Sequence, residues 1–116
     1  MLARPGNRSC ANPAIGGNHY GPAMVYMSAV SDATTADGSS SGFKVAQDLH
    51  AGTMASWGTE ILNANCGKPT FSVPQTLAGG NYLVRAEAIA LHAASGTGGA
   101  QIYMSCYQSK WIWCDV

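Results

Sequence analysis

Four side chains in this sequence are of types found at metal sites, and the spacing lets three of them, His92, Gln101 and Tyr103, meet. In ALHAASGTGGAQIYMSCYQ (90–108), His92 stands just before the glycine-rich stretch SGTGG, with Gln101 and Tyr103 just after it. In NHYGPAMVYM (18–27), His19 precedes Gly21-Pro22 by two residues and lies on a loop that feeds into an apolar stretch. Imidazole suits copper, zinc, iron or nickel, and an imidazole with a weak phenolic oxygen nearby suits a tetragonal copper ion best. A single loop histidine is ordinarily solvated or capping, so the metal reading of His19 depends on the company it keeps.

The elements that must carry these groups are short strands. Strand signals run over 23–30 (AMVYMSAV), 42–48 (GFKVAQD), 70–74 (TFSVP), 81–93 (NYLVRAEAIALHA) and 100–108 (AQIYMSCYQ), separated by clusters of Gly, Pro, Ser and Asn. That punctuation predicts an all-β fold, and only 54–63 (MASWGTEILN) reads as a short helical turn. Along 81–93, Tyr82, Val84, Ala86, Ala88, Ala90 and His92 face one way, and Leu83, Arg85, Glu87, Ile89 and Leu91 the other. Arg85 and Glu87 on one face predict a surface ion pair of small energetic weight. The glycines of SGTGG permit the positive φ of a reversal, so the last two strands become neighbours and His92 approaches Gln101. Gln101, Tyr103 and Ser105 then share one face, and Ile102, Met104 and Cys106 the other, as in a half-buried strand. The polar stretch 32–42 (DATTADGSSSG) reads as a solvated connection.

A chain of 116 residues is one domain, or part of one, with a single core. It is 47% hydrophobic and 10% charged, with zero formal net charge, which excludes a basic nucleic-acid binder and a charged disordered tail. A polar but weakly charged surface suits neutral partners such as sugars. No run reaches the length of a membrane span, because Arg85 and Glu87 interrupt the best candidate, 79–94. Cys10, Cys66, Cys106 and Cys114 form no CxxC pair, and the histidines lack zinc spacing. Dispersed cysteines in a small domain favour disulfides and an oxidising compartment over free thiols, whereas MLARPGNRSC lacks the apolar core of a signal peptide.

HYGPAMVYM, WGTEILNANCGK, YLVRAEAIALHAA and GGAQIYMSCYQ, in this order and spacing, resemble the fungal lytic polysaccharide monooxygenases of auxiliary activity family 9, the copper enzymes that cleave cellulose. The similarity runs from about His19 to Gln108. It implies an immunoglobulin- or fibronectin-like β-sandwich and a secreted, extracellular, monomeric protein. It also implies one copper ion and oxidative cleavage of β-1,4-glucan at C1 or C4, with O2 or H2O2 and a small-molecule or protein reductant. His19, which precedes the x-Gly-Pro motif, corresponds to a copper ligand, and Tyr103 of Gln-x-Tyr to the distant axial ligand. His92 and Gln101 correspond to the outer groups that orient ligands and hydrogen-bond an oxygen species. The resemblance further implies a disulfide between an early cysteine and the one after the Gln-x-Tyr motif. Cys10 and Cys106 are its best equivalents, while Cys66 and Cys114 have none and could pair with each other.

Among the aromatic residues, Tyr20 beside His19 is a candidate for gripping glucan, Trp57 reads as core, and Trp111 and Trp113 receive no role. His50 reads as a loop decoration. The departures from the family matter as much. Its copper site also uses the α-amine and ring of an N-terminal histidine, whereas residue 1 is Met and residues 2–18 contain no histidine. The resemblance therefore predicts a partial catalytic domain over 1–116, lacking the first strands of the sandwich and two equatorial nitrogens. It also predicts open sheet edges that favour aggregation. Two alternatives follow: a noncatalytic polysaccharide-binding sandwich, or a nonfunctional truncation product. Asn7-Arg8-Ser9 would accept a glycan only in the secretory pathway.

Overall fold

The computed structural model describes residues 10–50 and 57–112. The sequon at Asn7, the first residues of the expected helical turn, Trp113 and Cys114 lie outside the described residues. Within them, four strands form one antiparallel sheet: β1 (Ala23–Val30), β2 (Phe43–Asp48), β3 (Gly80–Ala90) and β4 (Gln101–Trp111), in the spatial order β2-β1-β3-β4. One short helix, α1 (Gly58–Ala64), connects β2 to β3. At seven residues it is not long enough to cross a membrane.

The all-β reading holds, with three adjustments. TFSVP does not form a strand. A β-favouring run acquires strand structure through a ladder partner, and this one, bracketed by Pro69 and Pro74, has none among the described residues. β3 ends at Ala90, so His92 belongs to the connection that follows. β4 runs on to Trp111, with Ser109, Lys110 and Trp111 opposite Tyr82, Asn81 and Gly80.

Alternation along β3 decides where the core lies. Ala86 and Ala88 join Ile15 of the N-terminal segment and Leu62 of α1 in one buried cluster. Small side chains on this face let the helix and the incoming segment approach the sheet closely. The helix starts where the Glu60 carboxylate turns back to accept the Trp57 N–H at 2.9 Å, satisfying one of the donors that a helix start leaves open. It ends where Cys66 and Gly67 take positive φ and the Gly67 N–H reaches the Leu62 carbonyl, 2.8 Å away.

The opposite face carries Arg85, whose guanidinium lies 4.9 Å from the Tyr26 ring centre and whose Nε is 3.0 Å from Glu87. The expected ion pair is present, though Glu87 retains only 12% of its side-chain exposure and is less of a surface group than the sequence implied. On β4 the faces are inverted relative to the half-buried expectation. Ile102 and Met104 are 56% and 47% exposed, whereas Tyr103 and Ser105 are partly covered. Tyr103 lies opposite Ala88, on the face that carries the core cluster, so β4 turns its polar residues inward and its apolar ones outward.

The disulfide expectation requires correction. Cys10 pairs with Cys66, and Cys106 is a free, exposed thiol. Cys106 lies opposite Arg85 on the sheet face away from α1, and Cys66 sits just past the end of that helix. The alternation of the strand thus carries Cys106 away from the Cys10 thiol. Cys66, which sequence reasoning left unassigned, is the true partner.

Candidate metal centre

The β1–β3 ladder positions the first histidine. Ala23 lies opposite Ala88, and the pairing continues past the end of β1: the Ile89 N–H donates to the Pro22 carbonyl at 3.0 Å, and the Leu91 N–H to the Tyr20 carbonyl at 2.9 Å. Extending this register by one residue sets His19 opposite His92. Their rings are 4.4 Å apart between centroids and inclined by 58°. Gly21 is required at the crossing, because a Cβ there would collide with the Ile89 carbonyl.

The β3–β4 hairpin supplies the remaining groups. Residues 91–99 reverse the chain through successive turns, in which Ala94, Gly96 and Gly99 N–H groups donate to Leu91, Ala93 and Gly96 carbonyls. Gln101 then pairs with Ala90, and two residues further Tyr103 pairs with Ala88. This register brings the Tyr103 ring to 5.9 Å from that of His19, edge to face. The Tyr103 hydroxyl donates to Gln101 Oε1 at 2.7 Å. All four residues singled out in the sequence therefore meet at one end of the sheet, around His19.

The hydrogen bonding of His19 bears on its chemistry. Its Nδ1 lies 2.7 Å from the Gly16 carbonyl oxygen, an acceptor only, so Nδ1 carries the proton and the lone pair of the neutral ring resides on Nε2. That tautomer suits a metal ligand whose second nitrogen is oriented by a backbone carbonyl. The donor set is an imidazole with a second imidazole and a phenol beside it, consistent with a borderline ion such as copper. Among the described residues, no cluster of three or more His, Cys, Asp or Glu side chains occurs, so the set is partial.

The site is open. Gln101 and His92 are exposed, His19 and Tyr103 partly so, and Tyr20 next to His19 is 45% exposed. A cavity of about 240 Å³ does lie between α1 and the sheet, lined by Met24, Leu62 and Ala86, but none of the four site residues borders it. Trp57 is half-buried with its ring 4.3 Å from that of His50, and the two residues form an isolated bridge. The expected core position of Trp57 is therefore a rim position, and His50 is packed against it.

The model of Auxiliary Activity family 9 (formerly GH61) matches residues 7–110. The chain belongs to this family. Family 9 relatives include lytic polysaccharide monooxygenase AA9-X282 of Trametes coccinea (strain BRFM310), 62% identical over 110 residues, covering 93% of this chain and 40% of that protein. Lytic polysaccharide monooxygenase B of Thermothielavioides terrestris is 58% identical over 115 residues, covering 93% of this chain and 35% of that protein. Among solved structures, the extended catalytic domain of H. jecorina LPMO9A, also called EG4, superimposes with a TM-score of 0.73 at 30% identity, over 83% of this chain and 40% of that one. The chain spans 35–40% of the length of these two sequence relatives. The sheet described above thus corresponds to part of the β-sandwich of family 9 proteins, and the family match extends further towards the N-terminus than the His19–Gln108 motifs.

Sequence reasoning missed the Gly16 carbonyl, Thr59 and Asn63, which hold the His19 loop. A signal was available for the last two, since Thr59 and Asn63 are four residues apart and share a helix face.

Proposed function

We propose that this chain carries part of the copper site of an oxidative polysaccharide-cleaving enzyme acting on β-1,4-glucan. The observation that supports this reading most strongly is the convergence of His19, His92, Gln101 and Tyr103, with His19 held as the Nδ1–H tautomer by Gly16. His19, through Nε2, and the Tyr103 hydroxyl are the groups of this chain that would hold the copper ion. Copper bound here would, with an external small-molecule or protein reductant and O2 or H2O2, supply the oxidation of a C1 or C4 C–H bond to C–OH. The hydroxylated sugar carbon then expels the glycosidic oxygen, and the chain breaks.

The chain's own residues perform the positioning. His92 packs against the metal-binding imidazole and limits its rotation. Gln101 accepts the Tyr103 proton in a hydrogen bond, which fixes the phenol ring and leaves the amide N–H groups of Gln101 free to donate towards the reacting oxygen. Tyr20 offers an exposed aromatic face beside the site for a sugar ring. The exposure of His92, Gln101 and Tyr20 favours a polymer surface over an enclosed small molecule as substrate. The Cys10–Cys66 bridge fits an extracellular, oxidising compartment. Zero net charge fits a neutral glycan and not a nucleic acid.

A second reading has its own observation. Tyr20 presents an exposed aromatic face beside His19, and a noncatalytic glucan-binding role follows if the site holds copper too weakly for chemistry. Copper titration followed by electron paramagnetic resonance, with an assay of cellulose for oxidised ends in the presence of ascorbate, separates the two. Oxidised oligosaccharides support the enzyme. Cellulose pull-down without oxidation supports the binding module, and failure of both discards both.

A further inference from the structure

The His19 loop is clamped at both ends by one face of α1. Upstream, the Asn63 side chain makes two reciprocal hydrogen bonds to a single residue: the Ile15 N–H donates to Asn63 Oδ1 at 3.1 Å, and Asn63 Nδ2 donates to the Ile15 carbonyl at 2.7 Å. Downstream, Gly21 is held in the same reciprocal way. Its N–H donates to Thr59 Oγ1 at 3.3 Å, and its carbonyl accepts the Thr59 backbone N–H at 3.0 Å. Thr59 is buried, and Asn63, one helical turn on, shares its face.

Between the clamps, Tyr20 is also held by the Leu91 N–H and the His19 ring meets that of His92, but residues 16–18 have little else to define them. Gly16 and Gly17 have no side chains to anchor, and Gly17 adopts a φ of 67°. Yet the loop presents the Gly16 carbonyl to His19 Nδ1 at 2.7 Å. Five residues with two glycines would sample many arrangements if their ends were free, and a side chain bonded to its own loop would move with them. Fixing both ends removes most of that freedom.

We propose that Thr59 and Asn63 are positioning residues for the His19 imidazole, holding the loop ends so that Gly16 keeps the proton on Nδ1 and Nε2 free for a ligand. The proposal rests on the reading of His19 as a metal ligand, but its physical content concerns the metal-free chain. Helix α1 is thereby part of the site's support without contributing a group that touches the metal.

The test uses the full 116-residue chain labelled with nitrogen-15. Long-range proton–nitrogen spectra of the metal-free protein read the His19 tautomer directly, and copper(II) titration reads affinity. The wild-type chain shows the Nδ1–H form. Thr59→Val and Asn63→Leu lose it and weaken copper binding about ten-fold each, the effect usual for removal of a ligand's outer support. Thr59→Ser, which keeps the hydroxyl, restores both readouts. Should Asn63→Leu not fold, Asn63→Asp retains the acceptor for the Ile15 N–H, loses the donor, and gives an intermediate loss of the Nδ1–H form. An Nε2–H tautomer in the wild type, or unchanged His19 signals in the folded variants, overturns the proposal. Failure of the wild type to bind copper would strike the metal reading alone, because the tautomer comparison needs no metal.

Discussion

His19 faces His92 across the continuation of the β1–β3 ladder, ring to ring at 4.4 Å, although neither residue lies within a strand. The pairing that sets this distance runs through backbone bonds of Tyr20 and Pro22 to Leu91 and Ile89. The site is therefore an extension of the sheet, and its tolerance to substitution follows from whether a change touches that extension. His19→Ala leaves the ladder intact. It should cost about 1 kcal/mol of stability, the net worth of the lost Gly16 bond, while copper(II) affinity falls by an order of magnitude or more. Parallel denaturant unfolding and copper titration check the split.

Gly21→Ala acts on the ladder instead. Its Cβ would meet the Ile89 carbonyl, a backbone atom that can yield only by parting the two segments. A loss of about 2–3 kcal/mol is expected, in the range of an overpacked site. It should be accompanied by faster hydrogen exchange at the Ile89 and Leu91 amides. Unchanged exchange at those amides would show that the segments are not joined as described.

Tyr103→Phe removes the hydroxyl that donates to Gln101. Because Gln101 is exposed, water replaces the lost partner and the stability change stays within about 1 kcal/mol. The resonance spectrum of added copper(II) should change, since the phenolic oxygen is proposed as one of the groups that would hold the ion. A spectrum identical to wild type would remove Tyr103 from the ligand set.

The Cys10–Cys66 bridge closes a loop with a sequence separation of 56 residues. Chain-entropy reasoning puts its contribution near 4 kcal/mol, so the double substitution Cys10→Ser with Cys66→Ser should lower stability by about 2–4 kcal/mol. Peptide mapping of the unreduced protein should recover Cys10 linked to Cys66, with Cys106 alkylated. A Cys10–Cys106 peptide would reinstate the pairing implied by family resemblance.

Asp32 opens the polar loop after β1. The Thr34 hydroxyl, followed by the Thr34 backbone N–H, donates to its carboxylate and holds its pKa below the ordinary aspartate value. The folded form thus favours the ionised carboxylate. Its stabilising effect is present above the unfolded pKa and disappears as pH falls through the folded one. Carbon-13 titration of the Asp32 carboxyl should give a midpoint below that of an unstructured aspartate, and Thr34→Ala should raise it.

Much of this was legible because strands and hairpins are local. The run AMVYMSAV and the alternation from Tyr82 to Ala90 carry their period in the sequence, and the SGTGG reversal sets Gln101 and Tyr103 beside the end of β3. What escaped depends on contacts between distant residues. TFSVP has the composition of a strand but no ladder partner among the described residues. The Cys10–Cys66 bridge depends on the packing of α1 against Ala86 and Ala88, and the clamps at Ile15 and Gly21 span 48 and 38 residues. On β4, periodicity separated two faces correctly but could not say which one would be covered, since that depends on what packs against the sheet.

The pairing of Tyr103 with Ala88 carries a consequence for quality control of the folded protein. A strand displaced by one residue against its neighbour keeps its hydrogen-bond count and its far-ultraviolet signature but turns every side chain over. For β4 that error would send Ile102 or Met104 to the place of Tyr103, leaving a species with normal secondary structure and no phenol beside His19. Misregistered molecules of this kind would be invisible to circular dichroism and would count as protein in any copper titration. The fraction of correctly threaded hairpins, more than the yield of folded material, would then set the apparent stoichiometry of a preparation.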